Sequence, residues 1–488
     1  MSFITEPSKQ VPVLDDVDVV VAGAGVAGTF AAIAAARKGA RTILVDRFGS
    51  VGGNIGPGMI VNGHMVSGSA HATLPYQCTV YPHLYGIGHE FVERYGALGG
   101  GCILPYTRTD DYTGDASIAS YVAQKMCEES GVRLLLSTQV ADPVMNGKRV
   151  AGLFVENKSG RSAIMAKAVI DATGEADVAR RAGASMLYPK QEYSEVDGHS
   201  PTGMGIHFVV GGVDWDAYQA SLTGVDVSDD DMAWAERQVR DQQLLKVFHG
   251  LIPGLRLENE KSGYLFETSV TLEGTRVGIT MPSLSPTRMP GVLQGRTSIE
   301  RLEVIDAGNG DHMAILEAAV RRHIFESFSF IKRNAGGFEN ASLLCIAPFL
   351  GSRGGPSIEG DYILTMDDCR EGKLFDDVLL RYGEFRALRY TSEQGEPKWV
   401  DVPYRVFLPK RIEGLLAVGR AASGQPDTLL RNRMAAKVMG QAVGTAAAMA
   451  ADEGLTPRAL DVRRLQETLL DDGFHLGDRC RLRELCFP

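Results

Sequence analysis

Hydrophobic residues dominate "VDVVVAG", Val17 to Gly23, and run unbroken from Val19 to Ala22, where an alternating pattern would leave one face wet. Such a run suits a strand covered on both faces, as in a parallel sheet. "TFAAIAAARKGA" follows as a helix of small residues that Gly39 can stop, and "RTILVDR" supplies the next strand, completing a βαβ unit. Beyond a glycine-rich stretch, Gly49 to Gly68, a helix is expected over Ala116–Glu129. Strands are expected at "VRLLLSTQV", "RVAGLFVEN" and "AIMAKAVIDATG", with turns at "NGK" and "KSGR". From about Gly183 to Asn340 the pattern becomes mixed and charged, with a helix expected through "DDDMAWAERQVRDQQLLKVF". A late strand, "EGLLAVGRA", then leads through "ASGQPDTLLRNR" into the alanine-rich helix "MAAKVMGQAVGTAAAMAADEG", and a polar helix follows Pro457. The whole reads as α/β: a Rossmann-like dinucleotide-binding domain with a parallel central sheet, plus an α+β domain inserted into it.

Length and charge narrow the functions. A chain of 488 residues exceeds the usual size of one core. The formal net charge of -10, without a long basic run, argues against nucleic acid and anionic lipid as partners. No apolar stretch approaches membrane-spanning length, and "MSFITEPSKQVPVLDD" lacks the pattern of a secretory signal. The seven cysteines are scattered without CxxC pairs, so a reducing cytoplasm is the expected location, with Cys480 and Cys486 as free thiols. No metal-ligand spacing, nucleophile elbow or phosphate-loop lysine signature stands in the chain.

Chemistry begins at the end of the first strand. Gly23, Gly25 and Gly28 form GxGxxG between strand and helix. Gly23 permits a tight turn, Gly25 lets a pyrophosphate approach the main chain, and Gly28 lets the helix lie close to the strand. The helix N-terminus offers free N–H groups and partial positive charge to the phosphates. Asp46, ending the second strand, is placed to accept hydrogen bonds from a ribose diol. The adjacent Arg47 is a cation that also suits a ribose phosphate. Nicotinamide and flavin dinucleotides share this half-molecule, so these residues leave both open.

"AVIDATGEADVARRAG" and "GLLAVGRAASG" repeat a strand-to-glycine design, and with them the chain resembles the FAD-dependent oxidoreductases related to the fumarate reductase and succinate dehydrogenase flavoproteins. "VGGN", "LGSR", "GDYILTMDD", "VPYRVFLPK" and "MGQAVGTAAAMA" appear in the same order, so the resemblance covers most of the chain. It implies a glutathione-reductase-type FAD fold, with FAD as cofactor. Residues 1–183 and 341–455 then form the two parts of the FAD-binding domain, 184–340 the substrate or cap domain, and 456–488 a C-terminal helix and tail. It also implies that Gly52, Gly53 and Asn54 approach the pyrophosphate and that Val140 meets the adenine through its backbone. Thr173 and Gly174 would support the adenosine side, and Gly419 and Arg420 would lie beside the ribityl chain. One departure is "GGPSIEG" after "LGSR", where relatives carry a stretch rich in Glu and Arg, although Arg353 itself is present.

A reduced flavin holds negative charge near N1 and the C2 carbonyl, so a helix N-terminus or an arginine there stabilises it. Arg431, on an arginine of the family pattern, is the first candidate, with Arg433 beside it. Gly440 and Gly444 lack side chains and allow the last helix to approach closely. His64 and His71 on the glycine-rich loop, His207 in "MGIHFVV", Tyr404 in "VPYRVFLPK" and Arg353 complete the catalytic candidates. The expected function is an FAD-dependent oxidoreductase moving a hydride between a small organic substrate and flavin N5, with oxidation of a C–OH or C–C bond favoured. The alternative is a redox-neutral or regulatory flavoprotein. Oxygen, a quinone, a carrier protein and NAD(P) are all compatible electron acceptors, and a homo-oligomer is compatible with the chain.

Overall fold

The computed structural model describes residues 4–5, 7–60, 85–100, 115–189, 203–221, 269–280, 282–286, 289–299, 305–382, 400–427 and 429–487. β1 (Val13–Ala22) lies inside a seven-stranded sheet between β2 (Thr42–Val45) and β6 (Gly160–Asp171), both parallel to it. β3 (Arg133–Leu135) extends the sheet beyond β2, and the short strand Leu415–Ala417 returns to pair in parallel with the end of β6. On the other side β4 (Gln139–Asn146), β5 (Arg149–Asn157) and β6 form an antiparallel meander. Val19–Ala22 are fully buried, which accounts for the unbroken apolar run.

Helix α1 (Val26–Arg37) buries every residue from Val26 to Ala35, because the alanine-rich helix Arg433–Asp452 lies directly on it. A Cβ on Gly440 would overlap Ala27 O, and one on Gly444 would overlap Ala31 O. These two glycines therefore set the separation of the two helices, so the close approach they allow is that of the last helix to α1. A side chain there would push the helices apart and forfeit dispersion contacts along the seam. α2 (Gly86–Ala97) closes the layer, with Phe91 edge-on to Phe30, their ring centroids 5.5 Å apart. α3 (Ala116–Glu129) occupies the expected residues, capped by the Asp115 carboxylate, which accepts from Ser117 N and Ile118 N.

β8 (Met204–Gly211) is the middle of a second sheet. It is flanked by Val292–Ile299 on one edge and by Ser342–Ile346 and Gly351–Ser352 on the other, all antiparallel. Met204, Ile206, Phe208 and Val210 share a core with Leu316, Val320, Ile324 and Phe328 of the helix Gly310–Asn334. By strand alternation Gly205, His207 and Val209 face the other way. That 25-residue helix was not legible in the sequence, because charged residues crowd between its apolar positions. Asn309 caps it, its side chain accepting from Asp311 N and His312 N.

The second sheet takes in residues beyond 340, since Ser342–Ile346 and Gly351–Ser352 pair with the edge of β8. The chain passes between domains at an antiparallel pair, β7 (Met186–Leu187) with Ser357–Ile358. The helix expected around residues 229–248 lies outside the described residues. No helix among the described residues is long and apolar enough to cross a membrane.

Candidate cofactor and substrate site

The three glycines of the first turn are required for different reasons. Gly23 has φ +97°, and a Cβ there would stand 2.6 Å from Ala172 O. A Cβ on Gly28 would overlap Gly23 O and stand 2.8 Å from Ala172 Cβ. Both must be glycine for the protein to close on itself. Gly25 has φ -70°, open to any residue, and the nearest atom to its ideal Cβ is Ala172 O at 4.0 Å. Among the described residues the space before Gly25 is therefore empty, and α1 starts there without a side-chain cap or an acidic residue in its first turn. Its first N–H groups have no intrahelical acceptor, which makes this an anion cradle.

A second loop completes the cradle. Gly52 (φ +102°) donates from N to Ala24 O at 2.8 Å, and a Cβ on Gly53 would come within 2.7 Å of Gly25 Cα. Gly52, Gly53 and Asn54 thus lie against the first turn. Asp46 Oδ2 accepts from Ala24 N at 2.6 Å and Oδ1 from Phe48 N at 2.8 Å. Burial pushes this carboxyl above its ordinary range, against those two N–H donors. Asp46 is accordingly a brace for the glycine turn as well as a residue whose remaining lone pairs can meet a ribose.

Arg47 is exposed, with its guanidinium 4.8 Å from the Phe48 ring centroid. Thr138 N donates to Asp46 O and Ser137 N to Phe48 O, which brings the start of β4, and so Val140, beside Asp46 and Arg47. The Val140 carbonyl already accepts from Arg181 Nη1 at 3.3 Å and from Gln139 Nε2 at 3.1 Å.

Beneath the glycine turn lies the loop after β6. Thr173 Oγ1 donates to Asp171 and accepts from Asp177 N, and Gly174 has φ +97°. Gly174 leaves room for Arg420, whose Nη2 would be 2.7 Å from a Cβ there and whose salt bridge to Glu175 measures 2.5 Å. Gly419 (φ +72°) sets this segment against Ala27 at the start of α1. Arg420 Nη1 is buried without a hydrogen-bond partner among the described residues, so the guanidinium is anchored at one nitrogen and unsatisfied at another.

Across the cradle stands the inner face of the second sheet. Gln294 donates to Met59 O at 2.8 Å and lies 3.4 Å from His207 Nδ1, tying the end of the second glycine loop to β8. A Cβ on Gly351 would be 3.3 Å from Asn54 Oδ1. His207 is buried, and burial, with the cations Arg296 and Arg433, pushes it down to about 3, so it is neutral at physiological pH. Lys437 is fully buried, its ammonium 5.0 Å from the Phe91 ring centroid, and burial together with Arg433 lowers it to about 7. Arg431 and Arg433, both half-buried, flank Asn432, whose side chain accepts from Met434 N and caps the alanine-rich helix. Arg353 is half-buried at the start of β8, with Nη1 4.0 Å from an ideal Cβ on Gly203.

Tyr404 does not belong to this group. It is 1% exposed, packs in the core of the first domain and donates to Pro457 O at 2.8 Å, so its hydroxyl is already spent on the fold. Arg405 forks onto Asp377 and is likewise structural. His64 and His71 lie outside the described residues. The sequence reading missed Asp171, Gln294, Glu175 and Lys437. For Asp171 and Lys437 a signal was available: a charged residue inside an apolar run.

A Rossmann-type sheet, an anion cradle empty at Gly25 and a second sheet facing it define a dinucleotide-dependent enzyme. The family profile described as FAD dependent oxidoreductase matches residues 18–469, and the chain belongs to that family. FAD is its cofactor. The residues fit it, since the empty space at Gly25 and the uncapped start of α1 suit a pyrophosphate.

Relatives include the thiamine thiazole synthase of Pyrobaculum arsenaticum, 34% identical over 171 residues, or 33% of this chain and 56% of that protein. That of Pyrobaculum aerophilum is 32% identical over 215 residues, 40% of this chain and 73% of that protein. The chain thus spans little more than half the length of the first of these relatives. Similar solved structures include a geranylgeranyl bacteriochlorophyll reductase-like protein from Thermoplasma acidophilum, 12% identical with a TM-score of 0.42, covering 97% of this chain and 86% of that one. Another is the myxobacterial chondrochloren halogenase, 14% identical with a TM-score of 0.40, covering 93% and 78%.

Proposed function

We propose that this FAD-dependent enzyme transfers a hydride between a small organic substrate and flavin N5, with oxidation of a C–OH or C–C bond favoured, and that within its family it stands near the fumarate reductase and succinate dehydrogenase flavoproteins. The observation that carries the reading is the face of β8 and Val292–Ile299 opposite the cradle, where neutral His207 is joined through Gln294 to the loop ending at Met59. Bound FAD supplies a two-electron hydride acceptor. His207, kept neutral by burial and neighbouring cations, can offer a ring nitrogen as a hydrogen-bond partner that orients the substrate. Arg296 and Arg433 make the surroundings positive and favour a substrate that carries negative charge. Arg353 and Arg431 are assigned to holding that substrate, and Arg431 in addition to stabilising the charge of the reduced cofactor. A cytoplasmic location belongs to the same proposal.

The second reading is a redox-neutral reaction in which bound FAD organises the site without changing its oxidation state. Anaerobic addition of a panel of hydroxy acids, amino acids and saturated acids to the holoenzyme separates the two. Bleaching of the flavin absorbance by a substrate supports hydride transfer, whereas turnover with the flavin persistently oxidised overturns it in favour of the second reading.

A further inference from the structure

We propose that Asp171 is a positioning residue for FAD: its carboxylate holds the loop after β6 as the floor of the glycine turn, so that the grip on the cofactor depends on the charge of this one side chain.

Asp171 is the last residue of β6 and is 0% exposed. Its Oδ1 accepts from Thr173 N at 3.1 Å and from Thr173 Oγ1 at 2.7 Å, and its Oδ2 accepts from Ala179 N at 2.8 Å. Thr173 Oγ1 in turn accepts from Asp177 N at 2.8 Å, so one carboxylate ties the loop to α4 (Asp177–Arg181) through two routes. The backbone is clamped as well: Ala172 N donates to Ala22 O and Val418 N to Asp171 O, each at 2.9 Å.

Ala172 lies between Asp171 and the Thr173 it holds, and Ala172 is what Gly23 and Gly28 pack against. Its carbonyl oxygen is 2.6 Å from an ideal Cβ on Gly23, and its methyl is 2.8 Å from one on Gly28. Any displacement of Ala172 therefore moves the turn that presents α1 to the pyrophosphate. The sheet has no need of a charge here for packing, since its two neighbouring strands, Val19–Ala22 of β1 and the returning Leu415–Ala417, are apolar. A carboxylate is one side chain that can accept on both oxygens at once, whereas an amide accepts on one only.

Protonation of Oδ2 would set a donor against Ala179 N and lose that bond, while protonation of Oδ1 would reverse the bond to Thr173 Oγ1 and weaken acceptance from Thr173 N. Burial pushes the carboxyl up to about 6 despite its three donors, and the neighbouring Asp177 carboxylate adds to the rise. Other ionisable groups on the surrounding elements include Arg180, paired with Asp177, Arg181 on α4, the Glu175–Arg420 pair, the Lys167–Asp18 pair at the far end of β6 and β1, and Asp46 at the end of β2. FAD favours the ionised form, so affinity rises with pH up to about 6 and is level above it. By reciprocity bound FAD lowers the pKa of the carboxyl.

The test is FAD binding to the apoprotein, followed by flavin fluorescence quenching from about pH 5 to about pH 8. Wild-type affinity should be level above about pH 7 and approach a tenfold fall per pH unit below about pH 6. Asp171→Asn should lose at least about tenfold in affinity at neutral pH, roughly one lost hydrogen bond to a charged group, and should lack the acid fall. Asp177→Asn removes the neighbouring negative charge, so its acid fall should move to lower pH; this arm holds even where Asp171→Asn fails to fold. A level wild-type profile, an acid fall unmoved in Asp177→Asn, or wild-type affinity and profile in a folded Asp171→Asn would each overturn the proposal. Binding by the wild type at neutral pH checks the family's cofactor independently.

Discussion

Gly25→Ala separates a glycine kept for a ligand from glycines kept for the fold. At φ -70° and ψ -173° alanine is unstrained, and the added methyl would meet no atom nearer than Ala172 O, 4.0 Å away. The apoprotein should therefore be as stable as wild type or gain about 0.4–1 kcal/mol from the stiffer unfolded chain. The same methyl occupies the empty space through which a pyrophosphate reaches the first N–H groups of α1. Hydrogen bonds to a charged group contribute about 1.5–3 kcal/mol each, so losing two weakens FAD by about 3–6 kcal/mol, or roughly a hundredfold to ten-thousandfold.

Gly28→Ala should behave in the opposite way, because its methyl would overlap Gly23 O and press on Ala172. Overpacking of this kind destabilises the apoprotein by at least about 1–3 kcal/mol. Apoprotein melting curves and equilibrium dialysis against FAD, on both variants, are the assays. If Gly25→Ala binds FAD like wild type, the cofactor does not use that space; if it melts well below wild type, the geometry of the turn is wrong.

Tyr404→Phe should lower stability by about 1 kcal/mol through loss of the bond to Pro457 O while leaving flavin reduction by substrate unchanged, measured by denaturant unfolding and anaerobic stopped flow. Arg431→Met should keep FAD but lower its reduction potential by several tens of millivolts, about 30 mV corresponding to about 1.4 kcal/mol for a two-electron couple; an unmoved potential in spectroelectrochemistry makes Arg431 structural. His207, held at about 3 in the fold against an ordinary 6.5, binds its proton more readily when unfolded. Stability should therefore fall as pH drops from about 6.5 toward 3, by at most about 1.4 kcal/mol per unit, and His207→Gln should flatten that slope in urea titrations.

The first domain was legible in the sequence because its signals are local. A run such as Val19–Ala22, buried from both sides, needs no knowledge of distant residues to be read as an inner strand, and glycines at a strand-to-helix turn carry their geometry with them. The glycine turn, the βαβ unit and α3 could be read on those terms. Roles that depend on what approaches from elsewhere could not. Gly25 and Gly440 look alike in sequence, yet one faces empty space and the other the backbone of α1, and only the packing of two helices nearly four hundred residues apart decides which. Tyr404 passes from candidate acid to core residue because Pro457 meets its hydroxyl, and Asp46 becomes a brace because Ala24 and Phe48 turn their N–H groups toward it. Asp171 and His207 owe their character to burial and to neighbours contributed by separate elements, and desolvation is a property of the assembled interior that no spacing along a chain records.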